Sequence, residues 1–519
     1  MILTASQRPG AGRVTLDQLV QHHAQRQGEA LALMDAPDRP LWTEGRPRRL
    51  TWAQVEAATA AVAGRLTELG LATDNVVAIQ GPNASDTLIA ILGCLRAQLV
   101  PAPMPANWRN AEAAEAIVRI GAKAIFAATR AGPAHPADAL RYVAAETFAI
   151  RFVCGFGAET PDGVVPFEDC IATPRPPAAS ARGTRMGNPA EHLAAVTWDC
   201  GSHGPFPVAR NHNEWLAAGL AVLSGLGLDR ESVLLSTLSP CGFAGLATGL
   251  VPWLMSGCAL VLHQAFDATV FGVQVERHAV THAVLPEVVA TAGRREGLLQ
   301  GPSLRGIASV TRRADLPMGP SIEDGPRTSA FAVLGELGLT AVTPGADGTP
   351  TLPLASPAQA EGVDAAGITF EVDPGGMLRL RGAMVPRAAF PGSERGAAYP
   401  LATDGWVSTG FPATADGGHA RIEGPRRDVL TIGGHTLSLA ALDSLYSDVP
   451  GAMAVNAVAR PDTLLGQRLV LEAMPEAGSE LTTVSLAMHA ETKSASPLAM
   501  TADAFIGDRR KSARLAGAA

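Results

Sequence analysis

AVTWDCGSHGPFPVARNHNEW, residues 195–215, is the stretch from which the fold of this chain is interpreted. A β-branched and aromatic run at residues 196–198 enters a Gly-Ser-His-Gly turn, and a helix is predicted to begin near Asn213. A glycine loop between a strand and a helix leaves backbone N–H groups free to hold an anion. The stretch therefore predicts an anion-binding loop. The alternative is a purely structural turn.

The composition is that of an enzyme-sized globular protein. The chain has 519 residues, of which 47% are hydrophobic and 17% charged, with a net charge of −8, so a large core and more than one domain are expected. No basic stripe is present, which argues against a nucleic-acid partner. No apolar run reaches the roughly 18 residues that a membrane span needs, and the N-terminus lacks a signal-peptide pattern. Six scattered cysteines without a C-x-x-C pair indicate reduced thiols, so we expect a cytoplasmic protein.

Strands alternate with helices along most of the chain. This alternation predicts an α/β fold with a largely parallel sheet. A proline-rich segment at residues 101–105 is expected to be a rigid connector. Gly424-Pro425, followed by three charged residues, is expected to be a hinge. The pattern predicts strands and helices at residues 15–27, 53–69, 76–79, 233–238, 259–262, 429–432 and 437–446, among others.

The glycine loop resembles that of the adenylate-forming superfamily, which includes acyl-CoA synthetases, adenylation domains and luciferases. That family has a Ser/Thr/Gly-rich loop ending in Gly-x-Pro-Lys-Gly, followed by Ser-His before a helix. Gly201, Ser202, Gly204 and His212 fit this pattern. The lysine does not, because Pro207 stands at its position. The layout from the N-terminus to about residue 410, and the Pro-Asp-x-x-x-Gly-x-Arg loop at residues 461–468, are also similar to the family.

The resemblance implies an α/β fold with a large N-terminal adenylate-forming domain at residues 1–423, which carries parallel sheets. It also implies a small mobile α+β domain at residues 424–519. The implied reaction joins a carboxylic acid to a thiol through an acyl-adenylate, using ATP, Mg²⁺ and CoA or a carrier protein, as in fatty acid metabolism. Such chemistry gathers negative charge, so cations and backbone N–H groups are needed.

Site residues follow from the same resemblance. Glu336 is the implied Mg²⁺ ligand and a catalytic residue, and Lys511 is the nearest candidate for the catalytic lysine. Each assignment has a plainer alternative. Glu336 can be a solvated glutamate, Lys511 can be a lysine of the C-terminal tail, and the apolar pocket residues named next can be ordinary helix core. The implied cofactor-binding residues are Gly201, Ser202, His203, Gly204, Thr409 and Arg427, and the implied acyl and thiol pocket is Phe243, Gly245, Trp253, Gly433 and Gly434.

The chain departs from the family where ATP would bind. Asp199 and Cys200 stand where the family has Thr-Ser, and a carboxylate there repels triphosphate. Arg312 and Arg313 replace two glycines beside the adenine, unless they are simply solvated loop residues. Further departures are Gly242 in place of an aromatic or histidine gate, Phe411 in place of the ribose-binding Asp, and Pro425 in place of an Arg.

Two interpretations remain for the whole chain. One is an acid–thiol ligase with an atypical nucleotide site, in which adenylation is weak or absent. The other is a pseudoenzyme that binds an acyl group, acyl-CoA, a carrier protein or another protein. Within the loop, Cys200 and His203 also allow a nucleophile–base pair, although no third orienting group is identifiable.

Overall fold

The structure is a computed structural model that describes residues 12–157, 159–175, 185–201, 204–319, 325–345, 347–354, 367–387, 390, 405–462, 465–500 and 503–506. The strands, in chain order, are β1 Leu31–Met34, β2 Arg49–Thr51, β3 Val76–Gln80, β4 Val100–Met104, β5 Ala124–Ala128, β6 Phe152–Phe156, β7 Val164–Pro166, β8 Leu193–Gly201, β9 Gly204–Asn211, β10 Val233–Ser236, β11 Ala259–Leu262, β12 His282–Pro286, β13 Gly306–Thr311, β14 Arg327–Leu334, β15 Gly338–Ala341, β16 Thr343–Pro344, β17 Pro350–Pro353, β18 Ile368–Val372, β19 Met377–Gly382, β20 Val407–Asp416, β21 His419–Ile422, β22 Val429–Ile432, β23 His435–Ser438, β24 Ala452–Asp462, β25 Gly466–Pro475 and β26 Asp503–Ile506.

The helices, in the same order, are α1 Leu16–Gln27, α2 Arg39–Trp42, α3 Trp52–Glu68, α4 Ser85–Arg96, α5 Asn110–Ile120, α6 Pro136–Glu146, α7 Asp169–Ala172, α8 His212–Leu226, α9 Phe243–Gly245, α10 Val251–Ser256, α11 Ala268–Arg277, α12 Glu287–Arg295, α13 Leu439–Leu445, α14 Thr483–Thr492 and α15 Pro497–Met500. A π-helical turn, Leu246–Leu250, joins α9 to α10. Within the described part of the chain, no helix combines the length and the apolar character that crossing a membrane requires.

Parallel sheets form the large N-terminal part of the molecule. One sheet has the strand order β15-β14-β13-β12-β10-β11-β1-β2, with parallel pairing from β14 to β1 and antiparallel strands at both edges. A second sheet, β4-β3-β5-β6-β7, is parallel throughout. Helices link these strands, as parallel pairing requires. The predicted α/β class is confirmed.

Antiparallel sheets follow in the chain. Strands β16 to β21 form a sheet of order β16-β17-β21-β20-β19-β18. The last strands form a smaller sheet, β23-β22-β25-β24, with β26 parallel to β25, and α13–α15 belong to the same stretch of chain. This is the smaller C-terminal α+β domain that was predicted. Its boundary at residue 424 and its mobility remain predictions.

The core between the two parallel sheets is packed tightly around helices α3 and α4. A Cβ built on Gly93 would lie 2.3 Å from Cγ1 of Val62, so only glycine lets these two helices approach so closely. The rings of Trp52 and Trp253 stack nearby, with centroids 4.9 Å apart and planes 15° apart. This packing fixes the scaffold that carries the site.

The structure differs from the prediction in two of the loop-like segments. Residues 101–105 are not a connector, since β4 runs through them. Because β4 is an edge strand bonded only to β3, its prolines need not donate to a second neighbour. The strand that follows the glycine loop was not predicted either: β9 lies between the loop and the helix and pairs antiparallel with β8. Helix α8 itself begins at His212, close to the predicted start near Asn213, and the Asn211 side chain caps it by accepting the Glu214 N–H.

His212 joins α8 to α1 inside the core. Its Nδ1 atom accepts the Leu16 N–H at 3.1 Å, and burial lowers the pKa of His212 to about 4. The unfolded histidine binds a proton below its ordinary pKa of about 6.5, whereas the folded one stays neutral down to about 4. The stability from His212 is therefore fully present above pH ~6.5 and is lost as the pH falls toward 4.

We predict that wild type loses about 2 kcal/mol more unfolding free energy between pH 7 and pH 5 than His212→Asn, which has no ring to protonate. Urea unfolding of both proteins at the two pH values measures this difference. The other histidines are common to both proteins and cancel. Parallel pH dependences would contradict the prediction.

Candidate active site

The β8–β9 hairpin places the glycine loop at the edge of the site. Gly201 pairs with Gly204 across the hairpin, while Ser202 and His203 lie outside the described residues. Gly204 has a φ of +84°, and a Cβ there would lie 2.7 Å from Oε1 of Glu115 on α5. The positive φ favours glycine at this position. A carboxylate therefore lies beside the loop where an anion was expected to bind.

Asp199, the residue expected to repel phosphate, is neutralised by the protein itself. Its side chain is buried, and both of its oxygens lie 3.0 Å from Nη1 of Arg426. Arg426 also donates to Oδ2 of Asp428 at 3.0 Å and to the Cys200 carbonyl at 3.1 Å. This network joins the hairpin to the segment that directly precedes β22.

Arg426 was not predicted as a site residue from the sequence. Arg427 was predicted instead, and it is exposed, whereas Arg426 is only 6% exposed. A signal was available: a carboxylate inside a β-branched strand, Asp199, requires a cation nearby. Arg426 also directly follows Pro425, the position where the family has its arginine. The sequence alone could not say which of the two neighbouring arginines points inward.

Glu336, the implied Mg²⁺ ligand, is 3% exposed, so a solvated glutamate is excluded. Its Oε1 atom accepts Nη2 of Arg312 at 3.0 Å, and its Oε2 atom accepts the Phe243 N–H at 2.8 Å. A Cβ on Gly242 would lie 3.6 Å from Glu336 Oε1 and 3.8 Å from Arg312 Nη2. Both carboxylate oxygens are thus held by protein donors, and the gate position opens directly onto this ion pair.

Arg313 is also bound, so the alternative of two solvated loop arginines is wrong. Its Nε and Nη2 atoms donate to the two oxygens of Asp315 at 2.7 and 2.6 Å. Its Nη1 atom donates to the Gly466 carbonyl, at the first residue of β25, at 2.9 Å. Of the two arginines at the expected adenine position, Arg312 therefore binds the implied metal ligand Glu336, and Arg313 binds the backbone of β25.

The expected ribose position has no free polar group among its described residues. The Thr409 hydroxyl donates to the Leu378 carbonyl at 2.8 Å and accepts the Phe411 N–H at 3.1 Å. Phe411 is buried in an apolar cluster. A Cβ on Gly410 would lie 3.2 Å from Nε of Arg426. Gly410 therefore packs against the Arg426 side chain, and the Thr409 hydroxyl already has hydrogen-bond partners within the protein.

The implied acyl-pocket residues divide into two groups. Phe243 is buried beside Glu336, with the Arg210 guanidinium 4.2 Å from its ring centroid. Gly245 instead faces backbone, since a Cβ there would lie 1.8 Å from the Ser239 carbonyl oxygen. Trp253 stacks on Trp52 in the core. The contacts of Gly245 and Trp253 match the alternative of ordinary helix core, and only Phe243 adjoins the ion pairs.

The remaining predicted residues can be placed only in part. Gly433 and Gly434 form the turn between β22 and β23 with φ of +53° and +86°, and both are exposed. Gly433 donates its N–H to the Leu465 carbonyl at 2.9 Å. Their role in a thiol tunnel remains a prediction. Lys511 lies outside the described residues.

The burial of Cys200 argues against the nucleophile hypothesis. Burial, reinforced by the Asp199 carboxylate, raises the pKa of the Cys200 thiol to about 12. A thiol with such a pKa is protonated at neutral pH, and only the thiolate is nucleophilic. His203, the proposed base, lies outside the described residues.

The described cleft does not fit a magnesium–triphosphate group in this arrangement. Glu336 and Asp199 each already have an arginine partner. Across the described ranges, no group of three His, Cys, Asp or Glu side chains could hold a metal ion. Glu115, beside the loop, is likewise paired, with Arg119 at 2.6 Å. The arrangement keeps the buried charges of Asp199 and Glu336 paired, so these carboxylates are not free to bind a cation.

Comparison with known proteins identifies the family. The family model described as "AMP-binding enzyme" matches residues 20–311. The chain is 26% identical over 488 residues to a salicylyl-CoA synthase/salicylate adenylyltransferase of a Streptomyces species, covering 89% of this chain and 84% of that protein. It is 25% identical over 468 residues to 2-hydroxy-7-methoxy-5-methyl-1-naphthoate–CoA ligase of Streptomyces carzinostaticus, covering 85% and 82%.

A solved structure shows the same fold. The o-succinylbenzoate CoA synthetase of Bacillus subtilis, a double mutant bound to a product analogue, superposes with a TM-score of 0.71 at 16% identity. The superposition covers 95% of each chain. At that identity the likeness establishes the fold and nothing finer. Because the family model spans more than half of the sequence, this chain belongs to the AMP-binding enzymes of the adenylate-forming superfamily.

Proposed function

We propose that this chain is an acyl-CoA synthetase-like protein in which ATP-dependent adenylation is weak or absent. In this proposal it binds a carboxylic acid or an acyl thioester without activating it. The proposal rests on the contacts of the Glu336 carboxylate. Both oxygens of this implied Mg²⁺ ligand are held, one by the Arg312 guanidinium and one by the Phe243 N–H.

The pairing of Glu336 opposes metal binding for an electrostatic reason. A guanidinium 3.0 Å from the carboxylate already supplies the positive charge that the metal would bring. A Mg²⁺ ion at Glu336 would be repelled by Arg312 and would have to displace it. Breaking a buried ion pair by removing one partner costs about 3–5 kcal/mol. ATP binding would therefore begin with an unfavourable rearrangement.

The second ion pair supports the same conclusion. Arg426 and Asp199 are 6% and 3% exposed and lie where nucleotide contacts are expected. Losing a single transition-state donor lowers catalysis by about 2.7–4 kcal/mol. Here the expected lysine, the ribose carboxylate and the glycine turn are all replaced, by Pro207, Phe411 and Arg312-Arg313. Several such losses leave little basis for efficient adenylation, even though their effects are not additive.

The names of the relatives guide the choice of ligand. Two of them act by name on salicylate and on a 2-hydroxynaphthoate, so we infer an aromatic acid or its thioester as the ligand class. Phe243 at the site is compatible with an aromatic ring. A carrier-protein partner, a role in fatty acid metabolism and a cytoplasmic location stay predictions.

The second candidate function is a slow acid–CoA ligase. One observation favours it: the relatives with the widest coverage are named as CoA ligases or synthases. Adenylation would then require Arg312 to leave Glu336 when ATP arrives. ATP–pyrophosphate exchange with a panel of carboxylic acids separates this candidate from the non-adenylating binder.

We predict that ATP binds no tighter than about 1 mM, because the carboxylates of the cleft are paired and its lysine is absent. Isothermal titration calorimetry with Mg²⁺–ATP measures the affinity. We expect no ATP–pyrophosphate exchange above background with salicylate, benzoate or medium-chain fatty acids. Micromolar affinity, or acid-dependent exchange, would refute the proposed function.

Replacing Arg312 should restore the metal site in part. In Arg312→Ala, Glu336 remains buried without its cation, so the metal-free variant should unfold at a lower Tm. Added Mg²⁺ should raise the Tm of this variant but not that of wild type, and Mg²⁺–ATP should bind about tenfold tighter than to wild type. Arg312→Lys is the matched control, because it keeps a cation beside Glu336. If Mg²⁺ shifts the Tm of none of these proteins, Glu336 is not a latent metal ligand.

Arg426 and Arg427 offer a second matched pair. Arg426→Ala should lower the free energy of unfolding by about 3–5 kcal/mol, because Asp199 loses its buried partner. Arg427→Ala, at the exposed neighbour, should change it by less than about 0.5 kcal/mol. Chemical denaturation of both variants gives the comparison. Similar values for the two variants would mean that Asp199 is not balanced by Arg426.

A further inference from the structure

Arg210 carries a free edge in the interior of the protein. Its side chain lies on β9 and is fully buried. One edge of the guanidinium is bound: Nε donates to the Met384 carbonyl at 3.0 Å, and Nη2 donates to the carbonyls of Glu336 and of Leu337, the latter at 2.8 Å. The Nη1 atom has no acceptor among the described residues.

Two neighbours of Arg210 also carry buried polar groups without a partner among the described residues. The Trp215 ring is 5.3 Å from Cζ of Arg210, and its buried Nε1 atom has no acceptor among the described residues. The buried Thr197 hydroxyl likewise has no partner there. Ala195 stands opposite Arg210 in the hairpin, so Thr197, two residues further, projects from the same face. We call Thr197, Arg210 and Trp215 the donor cluster.

The chemistry of the donor cluster indicates what is missing from it. Buried N–H and O–H groups are nearly always paired in native proteins, so three unpaired ones in one place point to an absent acceptor. Arginine and the indole N–H can only donate. Burial lowers the pKa of Arg210 to about 10, so the guanidinium is still charged at neutral pH. The missing partner is therefore an oxygen acceptor. The carboxylates of Glu214, Glu336 and Asp199 already interact with the guanidinium charge, so Nη1 lacks a hydrogen-bond acceptor rather than a counter-charge, and a strongly polar oxygen is sufficient.

The surroundings of the cluster are aromatic. The Phe243 ring centroid is 4.2 Å from Cζ of Arg210, and the same residue gives its backbone N–H to Glu336. The donor cluster thus lies at the boundary between the aromatic side chains and the paired carboxylates of the site. A flat ligand that rests on these rings could place one ring substituent against Nη1.

We propose that Arg210, together with Thr197 and Trp215, determines specificity by binding an oxygen carried on the ring of an aromatic acid. The ligand class is a hydroxyaryl carboxylate or an aryl dicarboxylate, in preference to an unsubstituted aryl acid. This inference rests on the proposed function, because it presumes that the site holds an acid.

Three probe acids test the proposal on the full chain: benzoate, 2-hydroxybenzoate and benzene-1,2-dicarboxylate. We expect calorimetry to give at least tenfold tighter binding for one or both of the oxygen-bearing acids than for benzoate. A site built to hydrogen-bond a substrate group rejects the analogue that lacks it, because the buried donors are then left unpaired. In Arg210→Met the preference should fall below about threefold. Arg230→Met, at an exposed arginine outside the site, should keep it.

Several outcomes would overturn the proposal. Equal affinity of wild type for the three acids, or no binding of any of them, would mean that the donor cluster holds buried water only. A preference that survives in Arg210→Met would place the recognition elsewhere. If Arg210→Met fails to fold, as judged by circular dichroism, Thr197→Val removes one donor with little change of shape and should reduce the preference; an unchanged preference would overturn the proposal.

The two proposals fail separately. ATP–pyrophosphate exchange decides whether the protein adenylates an acid. The affinity ratio between 2-hydroxybenzoate and benzoate decides whether the donor cluster selects its ligand. Robust exchange together with a high ratio would refute the proposed function and support the donor cluster. Absent exchange together with an affinity ratio near one would support the proposed function and refute the proposed role of the donor cluster.

Discussion

Charge balance inside the cleft is the constraint on which the rest of this structure depends. Asp199 and Glu336 are buried carboxylates, and a buried carboxylate without a partner is strongly unfavourable. Arg426 and Arg312 supply the partners from elsewhere in the chain. In an ATP-binding cleft, the metal and the phosphates take part in the charge balance. Here arginine side chains balance the buried carboxylates, and we infer that no carboxylate is left to bind the metal of a nucleotide.

One of these ion pairs and a neighbouring hydrogen bond connect the large N-terminal part with the last part of the chain. Arg426, just before β22, pairs with Asp199 of the β8–β9 hairpin, and Arg313 donates to the Gly466 carbonyl of β25 at 2.9 Å. A third contact runs from the Ser496 N–H to Oε1 of Glu112, at 2.6 Å. Groups that close the cleft are thus the groups that a nucleotide would have to displace. Closure and nucleotide binding would compete for the same side chains.

The local sequence pattern predicted strands correctly where a short apolar run is bounded by turn residues. The predicted strands 259–262 and 429–432 coincide with β11 and β22, because a short apolar run between turn residues is specific enough. The connector predicted at residues 101–105 was wrong, since whether a proline-rich segment can be a strand depends on its place at the sheet edge. The hairpin strand β9 was missed for a similar reason: its partner, not its composition, makes it a strand.

The sequence by itself determined the α/β class, several of the strands and helices, the resemblance to the adenylate-forming superfamily and the positions where the family motifs are replaced. These follow from periodicity and from motifs a few residues long. Only the tertiary structure decided what the replacements do. Asp199 and Arg426 are 227 positions apart, and Glu336 and Phe243 are 93 apart. No local signal connects such residues, because pairing across the fold depends on which side chains share an interior and must balance their charge there.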